Sequence, residues 1–179
     1  MQSRRLILPI FLSIGCFFAL FASPSAALPA GPKADVFLGY SRLNANTFYP
    51  NVGGLNGWTG AMHVKLKKPF LGVEADVAQF GLGASATVPK TTTVMAGPRL
   101  TVGAMGFHVF AHGLAGGEHS SSSTGISGGA LVYALGGGLD VPIAPFFSWR
   151  VAGDYLSAPT QSPATGSHSR ISTGLVFRF

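Results

Sequence analysis

The sequence predicts an all-β chain, an eight-stranded antiparallel transmembrane barrel with short turns at one end and longer loops at the other. Three observations carry this. Segments of about ten residues alternate apolar and polar side chains between turn-rich pieces, the pattern of spanning strands. The connections between them alternate short and long. The composition suits a small barrel with one face in hydrocarbon: charged residues are 10% of the chain, against about a quarter in ordinary soluble proteins, and there are 25 glycines. No run of about 18 apolar residues follows the N-terminal region, which excludes spanning by helices.

The chain opens with Arg4 and Arg5 before an apolar stretch from Leu6 to Ala22, followed by Ser23-Pro24-Ser25-Ala26-Ala27. A charged region, a hydrophobic core and small residues in that order read as a secretory signal peptide over residues 1–27. Cleavage is placed after Ala27, with Ala30 as the alternative. An uncleaved anchor is the rival reading, since the stretch approaches spanning length at roughly 17 residues. Pro9, Pro24 and the small-residue ending favour removal. Ser3-Arg4-Arg5 resembles a twin-arginine signal, but a barrel has to cross the inner membrane unfolded, which points to the general secretory route. Cys16 is the single cysteine and lies inside this segment, so the processed chain has no thiol chemistry. Residues 28–33 form a short lead to the barrel domain, 34–179.

The strands follow in order. Ala34 to Arg42 sets Val36, Leu38 and Tyr40 against Asp35, Gly39 and Ser41. Leu55 to Leu66 sets Trp58, Met62, Val64 and Leu66 against Thr59, His63 and Lys65. Phe70 to Phe80 opposes Leu71, Val73, Ala75 and Val77 to Glu74 and Asp76. Thr92 to Val102 opposes Val94, Ala96, Leu100 and Val102 to Thr93, Arg99 and Thr101. Phe107 to Gly116 puts Phe107, Val109 and Ala111 across from His108 and His112. Ser127 to Asp140 turns Leu131, Tyr133, Leu135 and Leu139 outward. Phe146 to Leu156 places Phe147, Trp149, Val151 and Tyr155 opposite Arg150 and Asp154, and Ser169 to Phe179 closes the set.

Lys67 to Pro69, Gly103 to Gly106 and Pro142 to Pro145 are the short connections. Leu43 to Gly54, Gly81 to Thr91, Gly117 to Ile126 and Ser157 to His168 are the long ones. In a barrel the short turns and both termini face the periplasm and the four long loops the outside. A soluble sandwich shares the short strands and frequent turns, but does not require this alternation. Tyr40, Trp58 and Tyr155 then form an outer aromatic girdle, and Phe107, Phe147, Trp149, Phe177 and Phe179 a periplasmic one.

The final residues, Ser172-Thr173-Gly174-Leu175-Val176-Phe177-Arg178-Phe179, resemble the C-terminal insertion signal of bacterial outer-membrane barrels, with Gly174, Phe177 and Phe179 at its marked positions. With Ala34 to Tyr40, Ala134 to Val141, Trp149 to Tyr155 and Ile171 to Phe179, the chain resembles the small outer-membrane β-barrel family that includes the OmpA membrane domain and OmpX-type proteins. The resemblance implies an outer-membrane location in a Gram-negative-type bacterium and contact with outer-membrane lipid and lipopolysaccharide. It also implies insertion by the barrel-assembly machinery, a monomer, and a structural or surface-interaction role without enzymatic activity. Unlike full OmpA proteins, the sequence has nothing after the last strand, so a periplasmic peptidoglycan-binding domain is not expected.

Charges on the lipid face would cost roughly 2–4 kcal/mol each near mid-membrane, so the phase is set with Glu74, Asp76, Arg99, Arg150, Asp154 and Arg170 in the lumen. Arg178, His63, Lys65, His108 and His112 share that face. The expectation is a plug of salt bridges, with Glu74 and Asp76 facing Arg99, and Asp154 near Arg150 or Arg170. A narrow conducting porin is the alternative. The net charge of +6 falls once Arg4 and Arg5 are removed, and no Lys/Arg cluster interleaves with aromatics, so nucleic acid is not an expected partner.

Metal and cofactor chemistry are not expected. His108 and His112 share a face but stand roughly 13 Å apart along a strand, too far for one ion. Glu118-His119-Ser120-Ser121 has the His-x-Ser spacing of barrel enzymes that deacylate lipid A, but is read as opening a flexible loop, with no Glu after it. Gly136-Gly137-Gly138 lacks the Lys-Ser/Thr and helix of a phosphate loop and is read as allowing curvature and close packing.

Overall fold

The computed structural model describes residues 34–44, 54–68, 70–82, 90–104, 106–121, 127–157 and 167–179. The chain divides into Met1–Gly31 and Pro32–Phe179. All described residues belong to the second unit, and the expected signal peptide lies outside them. Eight strands run in chain order: β1 (Ala34–Asn44), β2 (Leu55–Lys65), β3 (Leu71–Phe80), β4 (Lys90–Ala104), β5 (Phe107–Ser121), β6 (Ser127–Ala144), β7 (Phe147–Ser157) and β8 (Ser167–Arg178). Each pairs antiparallel with the next, and β8 pairs back onto β1 from Asp35↔Arg178 to Asn44↔Ser169, so the sheet closes with no free edge. The backbones of Ala34 and Phe179 exchange two further hydrogen bonds at the seam, 3.0 and 3.1 Å.

Alternation decides which side chains enter the lumen. Along β7 the burial pattern is strictly periodic: Trp149, Val151 and Tyr155 are exposed, and Ser148, Arg150, Ala152, Asp154 and Leu156 are buried. This inverts a soluble domain, because the polar set is inside and the apolar set outside, as a barrel surrounded by hydrocarbon requires. Three of the aromatic donors on the outer face find partners on adjacent strands. Tyr40 donates to Asn56 at 2.6 Å, Trp58 to Gln79 at 3.3 Å and Trp149 to Thr173 at 2.8 Å. These three polar tips are therefore satisfied where water is scarce.

Several strands are longer than the alternation suggests. β4 begins at Lys90, β5 runs to Ser121 and β6 to Ala144, consuming residues expected in loops. The β4–β5 ladder continues through Thr93↔Glu118, Thr91↔Ser120 and Lys90↔Ser121. Polar side chains do not stop a ladder made by the backbone, and the Thr91 and Ser120 hydroxyls meet at 3.1 Å. β1 likewise takes in Leu43, β7 Ser157 and β8 His168. Gly106, at φ +90°, makes the tight turn between β4 and β5 that other residues adopt only with strain.

Candidate functional site: the filled lumen

The lumen carries two layers. One is an ion network that reaches from Asp35 and Asp140 near the short-turn end to Arg170, which pairs with Leu43 near the long-loop end. Arg99, Arg150 and Arg170 are among the most deeply buried side chains, at 1%, 2% and 2% exposure. Arg99 donates to Glu74 at 2.9 Å and to Asp140 at 3.4 Å. Arg150 grips both oxygens of Asp140 at 2.6 and 2.9 Å and reaches Asp35 across the β1–β8 seam at 3.3 Å. Arg170 spans from Asp154 to Asp76, 2.7 Å to each, and Thr59 donates to the other Asp76 oxygen at 3.0 Å. His112 places Nδ1 3.1 Å from Glu74 and Nε2 2.7 Å from Asp154. His63 lies 2.8 Å from Asp35.

Aromatic rings complete this layer. The guanidinium of Arg99 sits 3.8 Å over the Phe110 ring and that of Arg150 4.7 Å from the same ring and 5.0 Å from Phe37. The two like charges are thus held by carboxylates at their forks and by π-faces beneath. Glycines leave them room. A Cβ at Gly136 would collide with the Asp154 carboxylate and the Gly153 carbonyl, and one at Gly138 would strike Phe110 and the Val151 carbonyl. The glycine run of β6 is therefore lumen space for neighbouring side chains.

Toward the long-loop end the second layer is apolar. Leu43, Leu55, Phe80, Met95, Leu114, Val132 and Leu156 form one cluster with Ala78 and Ala134, all buried. Leu43 and Leu55 flank the connection 45–53, and Phe80 and Leu156 sit at the same end of β3 and β7. The barrel interior thus packs apolar side chains as well as the ion network, a feature the expected all-polar plug did not include.

The predicted lumen set is otherwise distributed as follows. Glu74 meets Arg99, and Asp154 meets Arg170 rather than Arg150. Asp76 does not face Arg99: its β4 neighbour in register is Met95, so its cation comes across the barrel from β8. Asp35 and Asp140, outside the predicted network, anchor Arg150. Their signal was parity, since Asp140 follows the outward Leu139 and Asp35 precedes the outward-phased Val36. His108 and His112 have different partners, Arg178 and the Glu74–Asp154 pair. No group of three or more metal-binding side chains occurs among the described residues.

The Glu118-His119-Ser120 segment lies on β5, not in a loop. Glu118 and Ser120 turn inward, where Ser120 donates to Glu118 at 3.1 Å, while His119 is exposed on the opposite face. Adjacent strand residues point apart, so this acid cannot orient this imidazole. At the C-terminus, Gly174 pairs with Gly39 in the β1–β8 seam, and its Cβ would strike the Leu38 carbonyl. Phe177 and Phe179 are exposed on the outer face, with Phe177 edge-on to Phe147 at 5.0 Å between centroids.

No protein-family model and no curated protein matches the chain. Among solved structures, the chain is similar to Neisserial surface protein A at 11% identity and TM-score 0.63, covering 84% of this chain and 98% of that one. Ail, the attachment invasion locus protein of Yersinia pestis, is similar at 22% identity and TM-score 0.57, with 83% and 99% covered. The N-terminal β-barrel domain of Pseudomonas aeruginosa OprF is similar at 15% identity and TM-score 0.53, with 83% and 98% covered. At these identities the likeness is one of fold: the chain has the eight-stranded transmembrane fold of the small outer-membrane β-barrels.

Proposed function

We propose that this chain is a non-conducting barrel of the bacterial outer membrane, structural or surface-interacting in role, whose long loops carry its contacts with lipopolysaccharide or other surfaces. The filled lumen is the observation that supports this reading. Conduction needs a hydrated path, and a constriction of apolar side chains expels water. Here an apolar cluster that includes Leu43 and Leu156 packs inside the barrel beside a network whose buried cations are held by carboxylates. The reading takes the protein to be no enzyme, because the one catalytic-looking segment has its acid and its histidine on opposite faces. Secretion by the general route, insertion through Gly174, Phe177 and Phe179, and a monomeric state belong to the same proposal.

Planar-bilayer recordings on purified protein test it. The expected trace shows no stable unitary openings; reproducible openings from the monomer would instead establish the narrow-porin alternative. Fractionation supplies the location, with the protein expected in the outer-membrane pellet and absent from the soluble periplasm.

A further inference from the structure

The chain has six acidic residues, and most of their side chains are drawn into the lumen. Five of them, Asp35, Glu74, Asp76, Asp140 and Asp154, are buried in the lumen network. The sixth, Glu118, lies near the long-loop end of β5. The short-turn end carries Lys65, Lys67, Lys68 and Arg178, none of which faces an exposed carboxylate side chain.

A cavity of about 370 Å³ opens at this end, with Lys65 from β2, Thr101 from β4, His108 from β5 and Arg178 from β8 in its wall. Its size falls within the range of small-molecule sites, roughly 300–1,000 Å³. Arg99, Asp35, Asp140 and the last residue, Phe179, also line the cavity; the Phe179 backbone oxygen accepts from the Ala34 N–H at 3.0 Å, and the aspartate oxygens are engaged from below. Asp140 receives Arg150 on both oxygens, with Arg99 and Arg178 at 3.4 Å each, and Asp35 receives His63 and Arg150. Arg178 is 28% exposed at its side chain. It places Nη1 3.2 Å from His108 Nδ1. An arginine can only donate, so Nδ1 accepts, and the neutral imidazole then carries its proton on Nε2, making it a donor. Thr101 accepts from Arg99 Nε at 3.3 Å, which leaves its hydroxyl proton free to point elsewhere. Lys65 is half-buried and holds three donors. Four strands therefore bring donors, and two full positive charges, to one opening.

We propose that this mouth is an oxyanion site, taking a phosphate group through Lys65 and Arg178, with His108 and Thr101 as neutral donors. Arg178 supplies a planar fork and Lys65 a point charge, the usual division of labour around phosphate. The phosphate belongs either to a soluble periplasmic anion or to the headgroup of a lipid in the adjoining leaflet. The site needs only the closed barrel and goes beyond the non-conducting reading, since a barrel that conducts could hold it equally.

The test titrates the full-length barrel in neutral-detergent micelles with inorganic phosphate, following heat release and the amide resonances of the short-turn end. A second arm places the barrel in nanodiscs of phosphatidylglycerol or phosphatidylcholine and reads the same resonances. The expected result is a saturable response in one arm, weakened at least fivefold by Lys65→Gln and unaltered by Lys68→Gln on the exposed turn. A response to inorganic phosphate assigns a soluble ligand; one confined to phosphatidylglycerol assigns the headgroup. Arg178→Gln should abolish either, and because it also removes a contact to Asp140, Lys65→Gln decides if that variant fails to fold. Absence of a saturable response in both arms overturns the site. Equal weakening by Lys65→Gln and Lys68→Gln overturns it as well, because it would show diffuse charge attraction.

Discussion

At the scale of single residues, each buried guanidinium holds more than one strand. Arg170 of β8 binds Asp154 of β7 and Asp76 of β3, joining positions far apart around the barrel. Arg170→Gln should leave two buried carboxylates short of their cation and cost about 3–5 kcal/mol, the usual consequence of removing one partner from a buried pair. Urea unfolding in micelles measures this, and adding Asp76→Asn should recover part of the loss by removing one stranded charge. Glycines give a second test. Gly136→Ala drives a methyl into the Asp154 carboxylate and the Gly153 carbonyl and should cost about 1–3 kcal/mol. Gly153→Ala, with nothing within 4 Å of its Cβ, should be close to neutral in the same assay. These contacts explain why parity found the lumen residues but only the pairings between neighbouring strands, Glu74 with Arg99 and Asp154 with Arg170: alternation sets the face, but a long arginine crossing the lumen chooses among carboxylates on several strands.

At the scale of elements, β4 carries a proline inside a paired strand. The β4–β5 ladder runs in one register from Lys90↔Ser121 to Ala104↔Phe107, except that pairs at Gly97 and Pro98 are missing. Those are the pairs that would need a Pro98 N–H toward Gly113, which proline lacks. Pro98→Val should supply the donor and stabilise the barrel by about 1 kcal/mol, seen as a higher urea midpoint; an unchanged or lower midpoint would mean that the Gly113 carbonyl is already served. The same strand shows where segmentation by composition falls short. By composition Lys90 and Thr91 read as part of a polar loop, yet they pair with β5, since hydrogen bonding between backbones is indifferent to side-chain polarity once a neighbouring strand extends alongside. The strand centres, with Arg99 against Leu100 or Arg150 against Val151, were legible because lipid and lumen impose opposite demands on successive residues.

At the scale of the molecule, closure makes stability collective. No strand edge is left to fray, and the seam between β1 and β8 is crossed by the Arg150–Asp35 contact as well as by the ladder. Unboiled protein should therefore migrate differently from boiled protein on a denaturing gel. Removing Phe177 to Phe179, which shortens the strand that closes the seam, should abolish that shift and the folded band with it. The apolar cluster belongs to this scale too. Leu43, Leu55, Phe80 and Leu156 sit at the ends of four different strands, and no local window reveals that they join one cluster.

By itself the sequence determined the strand count, the closing partner and the face of every charged lumen residue it named, because a two-residue period between hydrocarbon and interior can be read one segment at a time. Only the tertiary structure decided that Asp76 answers to Arg170, that Asp35 and Asp140 share Arg150, and that an apolar cluster packs in the lumen beside them. It also decided that Lys65 and Arg178 share an opening. Those outcomes depend on which strands lie across the barrel from one another, and that distance is set by closure and register, which no alternation encodes.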